Sequence, residues 1–352
     1  MNRIKIGISA GDFNGIGMEV ILKTFDNPKM LELCTPVLYS SAKVLAYHKN
    51  IVNLEDFAYV NQRSAERLEQ GKFNVVNCWQ DNVNINIGQA TEAGGKYAMI
   101  ALEQAVHDLK AGYIDALVTA PINKEAMSMA GFGYIGHTEF LGKQSDGGEP
   151  LMLLISEEMR MGMVTTHVPL SDVAPLITKV NVMQKISQLN ETLKMDFGIE
   201  KPTIAVLGLN PHAGDGGVIG KEDQEILHPA VLEMKKKGTL AFGPFPSDSF
   251  FGSGQYKKFD AILAMYHDQG LIPFKTLSFH AGVNYTAGLS FVRTSPDHGT
   301  GYDIAGNNVA DPESFRQAVF AAIDILRSRK SYIEDRKDTL QKHALEREEE
   351  IS

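Results

Sequence analysis

The chain has 352 residues, 43% hydrophobic and 22% charged, with a formal net charge of -9 and a pI near 5.6. That acidic balance excludes the basic stripe of a nucleic-acid surface. Two cysteines, Cys34 and Cys78, exclude a disulfide framework and a four-thiolate zinc site. No apolar run approaches the roughly 20 residues of a membrane helix, and Met1-Asn2-Arg3-Ile4-Lys5-Ile6 enters a strand pattern without the apolar core of a signal peptide. A cytoplasmic protein with no nucleic-acid or membrane partner is expected.

Short apolar strands alternate with helical segments almost throughout, the pattern of a parallel-sheet α/β architecture. Ile4 to Ala10 reads as a strand, Met18 to Phe25 as a helix and Pro36 to Tyr39 as a second strand. Residues 55–90 are polar and Asn-rich, with short strands around Phe57-Val60 and Phe73-Cys78. A long amphipathic helix is expected from Thr91 to Lys110, then a buried strand from Ile114 to Ala120. Leu151 to Ile155 and Met161 to Thr166 read as two strands joined by a tight turn at Glu157-Glu158. Val182 to Phe197 is helical, Thr203 to Gly208 a buried strand, Lys221 to Lys237 a helix, and Phe259 to Met265 another buried strand. The expected lobes are 1–135 with 285–330, and 136–284. The densely charged stretch from Arg327 onward, with 331–352 as the C-terminal tail, reads as a solvated helix or frayed end with no chemistry.

Gly11-Asp12-Phe13-Asn14-Gly15-Ile16-Gly17 lies between the first strand and its helix. Its spacing matches neither Gly-x-Gly-x-x-Gly nor a P-loop. It either brings backbone near a ligand at a helix N-terminus or is a plain strand-to-helix turn. His167, His212 and His267 each sit just past a strand's C-terminal end, where ligands bind in open α/β sheets. Three such imidazoles with an open position suit a divalent ion, zinc above all, whereas any one alone is more often a hydrogen-bonded structural residue. His48, His107, His228 and His343 fall in helical or charged segments and read as structural. Gly136-His137-Thr138-Glu139 precedes a helical stretch, suited to capping it or gripping an anion. Lys275, Asn284 and Arg293 add two cations and an amide that together suit a phosphate or carboxylate; singly each reads as a surface group.

Over residues 1–326 the chain resembles the 4-hydroxythreonine-4-phosphate dehydrogenases of vitamin B6 biosynthesis. The resemblance rests on Gly136-His137-Thr138-Glu139, Thr166-His167-Val168-Pro169-Leu170 and Gly208-Leu209-Asn210-Pro211-His212-Ala213-Gly214. It extends through Tyr266-His267-Asp268-Gln269-Gly270-Leu271-Ile272-Pro273 and Arg293-Thr294-Ser295-Pro296-Asp297-His298-Gly299-Thr300. It implies two α/β/α lobes around a cleft, like isocitrate and isopropylmalate dehydrogenases, in a homodimer with shared active sites. It places the metal (Zn, Mg or Co) on His167 and His212 of one subunit and His267 of the other. Substrate contacts fall on His137, Thr138, Lys275, Asn284 and Arg293, with Asp248 and Asp268 as further amine-binding or ligand-orienting carboxylates. The histidine triad and Lys275 are the expected catalytic groups. Gly11, Asp12, Asp297 and His298 fall on the side of the NAD or NADP cofactor.

The implied reaction oxidises the secondary alcohol of 4-phosphooxy-threonine to a β-keto acid, which decarboxylates to 3-amino-2-oxopropyl phosphate. Rival readings are a paralogue acting on 4-phospho-threonate or erythronate, a metal-dependent hydrolase of a phosphorylated substrate, and a non-catalytic binding module. The chain departs from the family at Phe13-Asn14 (usually Pro-Ala), Met18 (Pro), Asp215 (Glu) and Ser247-Asp248-Ser249 (Ala-Asp-Thr). The first-loop departures bear on cofactor preference or lobe packing.

Overall fold

A computed structural model describes residues 3–134 and 136–337. Residues 1, 2, 135 and 338–352, including His343 and the run Glu346-Arg347-Glu348-Glu349-Glu350, lie outside the described residues. In chain order, β1 (Ile4–Ser9) leads through the glycine loop into α1 (Gly17–Phe25), then α2 (Lys29–Leu33), β2 (Cys34–Ser40), α3 (Ala42–Ile51), β3 (Val60–Gln62) and β4 (Asn74–Asn77). Next come α4 (Glu92–Lys110), β5 (Ala116–Thr119), α5 (Lys124–Met129), α6 (His137–Gln144), β6 (Leu151–Ile155), β7 (Arg160–Met163), α7 (Leu170–Leu176) and α8 (Lys179–Phe197). After β8 (Thr203–Leu207), 3-10 turns over Pro211–Gly217 and a π-helical turn over Asp223–Leu227 precede α9 (His228–Lys236). The remaining elements are β9 (Leu240–Phe245), α10 (Ser247–Gly252), β10 (Ala261–Ala264), α11 (His267–Ser278), β11 (Val283–Ala287), β12 (Arg293–Pro296) and α12 (Glu313–Lys337).

All twelve strands form one sheet in the order β3-β4-β2-β1-β5-β12-β11-β6-β7-β10-β8-β9. The fold is α/β as expected, and the mostly parallel sheet contains three antiparallel pairs. β11 runs antiparallel to both β12 and β6, and β6 is antiparallel to β7. Two of the three follow from short connections. The Glu157-Glu158 turn makes a hairpin of β6 and β7, and 288–292 joins β11 directly to β12, leaving no length for a crossover helix. On either side the strands are parallel: β3, β4, β2, β1, β5 and β12 in one group, β7, β10, β8 and β9 in the other.

Capping explains several element boundaries. Thr91 accepts from Gly94 N at the start of α4 and Thr178 from Asn181 N at the start of α8, which begins three residues before the expected Val182. α8 ends on Gly198 at φ 66. The expected helix from Lys221 to Lys237 opens with the π turn because Pro229 cannot donate into a regular first turn. Helix α3, unrecognised in the sequence, is capped by Ser41. Residues 327–337 continue α12, and Arg329 is buried against Asp196 instead of lying in a solvated tail.

The centre of the sheet has two different faces, set by the period-2 alternation of strand side chains. Thr294 of β12 donates to the Ala318 carbonyl at 2.7 Å, and Tyr285 of β11 donates to Asp196, so this face carries α8 and α12. Asp196 is held in turn by Arg329. The alternate residues Asn284, Thr286, Arg293 and Ser295, with Thr119 of β5 and Met152 of β6, point the other way. That second face floors the candidate site.

Candidate active site

A cavity of about 280 Å³ lies over that face. His137, Thr138, His167, Lys275, Asn284, Arg293, Asp297 and His298 all line it, so the structure gathers most of the sequence-derived candidates in one place. Lys124 and Glu139 line it too.

Arg293 is the centre of its floor. The side chain is 2% exposed, and its partners are hydroxyls. Nε and Nη2 donate to Thr119 Oγ1 at 3.1 and 2.6 Å, and Nη1 donates to Thr286 Oγ1 at 2.9 Å. Burial lowers its pKa to about 9, with Glu139 opposing the shift through space. His137 opens α6; burial and the Arg293 charge hold its pKa well below the ordinary value, so the ring is neutral at pH 7. Its Nε2 is buried with no hydrogen-bond partner among the described residues, as is Asn284 Oδ1. Buried polar atoms without partners are costly, and here they face a cavity.

Lys275 reaches in from α11, with Nζ 3.6 Å from Asp297 Oδ2 and 3.4 Å from the Asp297 carbonyl. Burial raises the Asp297 pKa, opposed by Lys275. Burial lowers that of His298, whose Nδ1 lies 3.0 Å from the Gly299 carbonyl. A donating Nδ1–H fixes the tautomer and leaves Nε2, also buried and unpartnered among the described residues, as a bare lone pair.

The three strand-end histidines follow β7, β10 and β8, which are adjacent and parallel. The rings of His167 and His267 lie 6.0 Å apart within one chain, and His167 joins the main cavity to a neighbouring cleft that contains His267 and Asp268. His267 Nδ1 is 2.7 Å from Asp268 Oδ1, which leaves Nε2 free to act as a ligand. The His167 pKa is lowered, by burial first, then by Lys124. His212 stands apart on an exposed left-handed run, with φ 55 at His212, 50 at Ala213 and 44 at Asp215. Non-glycine residues in this region carry strain of the kind found at functional sites. Asp223 anchors the run, accepting from Leu209 N, Asn210 N and Asn210 Nδ2. Among the described residues no three His, Cys, Asp or Glu side chains cluster as ligands of one ion.

Asp248 lies outside the cavity, in the first turn of α10, where its Oδ1 accepts from Ser249 N; with Asp268 it borders a separate groove. Gly11 and Asp12 are used in packing. Gly11 has φ 66, and a Cβ there would meet the Pro121 carbonyl at 2.3 Å. Asp12 N donates to that carbonyl, Gly15 N to Asp12 O, and Ile16 N to Thr300 O, so these three amides are already engaged. Phe13 and Asn14 are buried; Asn14 donates to Thr91 Oγ1 and accepts from Asn86 N, tying the loop to the 86–91 segment. Of the histidines read as structural, His48 is buried in α3, His107 pairs with Asp108, and His228 opens α9.

Thr119, Thr286 and Lys124 escaped the sequence reading. Thr119 meets Arg293 only because β5 and β12 are neighbours, so the one available signal was its place near the end of an apolar strand.

The family described as Pyridoxal phosphate biosynthetic protein PdxA matches residues 32–322. A relative from Bacteroides thetaiotaomicron, named 4-hydroxythreonine-4-phosphate dehydrogenase, is 48% identical over 99% of this chain and 96% of its own length. A relative of the same name from a Sulfurihydrogenibium species is 41% identical over 93% of this chain and 100% of its own. The crystal structure of 4-hydroxythreonine-4-phosphate dehydrogenase from Klebsiella pneumoniae superposes with a TM-score of 0.77 at 33% identity, covering 92% of this chain and 98% of that one. No helix among the described residues is long and apolar enough to cross a membrane.

Proposed function

The chain belongs to the Pyridoxal phosphate biosynthetic protein PdxA family, and we propose that it is a 4-hydroxythreonine-4-phosphate dehydrogenase. In this reading it oxidises 4-phosphooxy-L-threonine with NAD or NADP, and the β-keto acid formed loses carbon dioxide to leave 3-amino-2-oxopropyl phosphate. The observation that carries it is the buried Arg293, held by hydroxyls alone in a cavity that also contains His137, Thr138, Lys275 and Asn284. Such a cation demands an anion, and a phosphate meets the fork of its guanidinium in bidentate fashion.

Within that reading the side chains divide the work. Arg293 and Lys275 bind the phosphate charge, while neutral His137 adds a hydrogen bond without adding a charge. Asn284 Oδ1 accepts a hydrogen from the substrate. Lys275, tethered to Asp297, is also the group placed to hold or deliver a proton. The donor set of His167 and His267 suits a divalent ion, because Asp268 orients His267 with its Nε2 bare. His212 is the third proposed ligand, and a homodimer sharing ligands between subunits is the proposed way to complete the set. When bound, such an ion lowers the pKa of a coordinated hydroxyl and polarises a carbonyl, and the nicotinamide accepts the hydride. We place the cofactor on the Asp297-His298 side of the cavity, next to the Gly11-Asp12 loop.

The test follows nicotinamide absorbance with 4-phosphooxy-L-threonine and with 4-phospho-D-threonate, each with NAD and NADP across a metal series. Reduction with the amino substrate supports the proposal, and preference for the hydroxy acid assigns the paralogue. Release of inorganic phosphate without nicotinamide reduction overturns both in favour of a hydrolase.

A further inference from the structure

Two arginines are buried at the centre of this fold, on opposite faces of the same strands. Arg329 is paired with a carboxylate, Asp196, and accepted also by Tyr285 Oη and the Leu289 carbonyl. Arg293 has no carboxylate within ion-pair distance among the described residues. Two threonine hydroxyls, both fully buried, take its place. A carboxylate there would orient the guanidinium equally well but neutralise it. Hydroxyls orient it and leave its charge intact.

The donor count agrees. A guanidinium has five N–H groups. Thr119 Oγ1 receives two of them, from Nε and Nη2, and Thr286 Oγ1 receives one from Nη1. Two N–H groups are left, one on each terminal nitrogen, which is the number a bidentate oxyanion takes. Holding Nε and both terminal nitrogens from two strands also fixes rotation about the last bond of the side chain, since β5 and β11 flank β12 on either side.

We propose that Thr119 and Thr286 are positioning residues for phosphate recognition, which clamp the Arg293 guanidinium in one orientation without neutralising it. The inference rests on the reading of this cavity as the phosphate site and deepens it. Affinity for the phosphorylated substrate then depends on two side chains that need not touch it. Thr286 contributes one bond and Thr119 two, so Thr119 has the larger effect.

The experiment uses the full-length protein with Thr119→Val, Thr286→Val, Thr119→Ser and Arg293→Met, each checked for native near-UV circular dichroism. Inorganic phosphate binding is measured by calorimetry, and kcat and KM are measured with 4-phosphooxy-L-threonine. Thr119→Val is expected to raise both KM and the phosphate Kd by roughly tenfold or more, with kcat within about threefold, because it removes two charged hydrogen bonds from the clamp. Thr286→Val raises both less, and Thr119→Ser, which restores the hydroxyl, returns them to near the original values. A folded Thr119→Val with unchanged KM and Kd, beside an Arg293→Met that loses both, overturns the clamp but leaves the phosphate site standing. An Arg293→Met that binds phosphate normally overturns the site itself. If Thr119→Val does not fold, Thr286→Val decides: a raised KM with kcat held supports the clamp, and an unchanged KM refutes it.

Discussion

The contrast between the two buried arginines yields the sharpest test of how this site is built. Arg293→Met removes a cation whose burial has lowered its pKa to about 9. A depression of that size is worth about 5 kcal/mol at about 1.36 kcal/mol per pKa unit, an upper bound once local relaxation is allowed. Against it, the Thr119 and Thr286 hydroxyls lose their partner, at about 1–3 kcal/mol each. The two nearly cancel, so unliganded Arg293→Met should unfold within about 2 kcal/mol of the parent protein. Arg329→Met is a different case. It strands the fully buried Asp196 carboxylate with the Tyr285 hydroxyl, and removing one partner of a buried ion pair costs about 3–5 kcal/mol. Tyr285 returns part of that, so a loss of about 3 kcal/mol is expected. Urea unfolding with and without inorganic phosphate measures both variants. At 100 times its Kd, phosphate stabilises by about 2.7 kcal/mol, a gain that Arg329→Met keeps and Arg293→Met lacks. The pH dependence has a definite sign. The folded pKa of this base lies below its unfolded value, so the burial penalty acts in full below about pH 9. It fades only as pH climbs from there toward the ordinary arginine value. Equal destabilisation of the two variants, with phosphate protecting both, would refute the assignment of a structural and a functional arginine.

Other outcomes can be checked alongside it. His212→Ala is expected to abolish turnover and metal retention, read by elemental analysis of the purified protein; near-normal activity in metal-free buffer contradicts a role in metal binding. Mixing inactive His167→Ala and His267→Ala subunits rebuilds one intact site per heterodimer if the ligands are shared. No recovery, although mixed dimers form, instead assigns the His167–His267 pair to one chain, where the rings already lie 6.0 Å apart. Inorganic phosphate affinity should rise through neutral pH, where the monoanion gives way to the dianion, and fall above about 9 as unliganded Arg293 gives up its proton. Affinity that is level across that whole span would show that Arg293 charge does not govern binding.

Much of this was legible in the chain because local physics decided it. The run Thr203 to Gly208 could only be a buried strand, and Thr91 before a long amphipathic stretch could only open a helix. Positions fixed by long-range pairing were not legible. Strand β9 is an edge strand whose apolar residues are interrupted by Gly243-Pro244, a pair that reads as a turn. β11 and β12 carry Asn284, Thr286, Arg293 and Thr294 in their interiors, polar residues that disguise two of the most central strands in the sheet. The glycine loop looked like a place for a ligand because its composition permits close approach. In the fold that approach is to Pro121 and Thr300.

The site itself divides along the same line. Motif order brought out His137, Lys275, Asn284 and Arg293, and the cavity collects them. It did not show that Arg329, in the charged stretch, would be buried and paired with Asp196, because a side chain's partner depends on the sheet face it packs against. Arg293 points with Thr119 and Thr286 toward the cavity. Tyr285, one residue before Thr286, points the other way to Asp196 and Arg329. A one-residue shift of β11 would turn Thr286 away from Arg293 and Tyr285 away from Asp196 and Arg329, so each arginine would lose one hydroxyl partner. The register of that one strand against β12, Asn284 opposite Ser295 and Tyr285 opposite Thr294, therefore fixes which hydroxyl each buried arginine receives. Chemistry and fold meet in that alignment: one strand gives Tyr285 to the Arg329–Asp196 pair on the back face and Thr286 to Arg293 on the front.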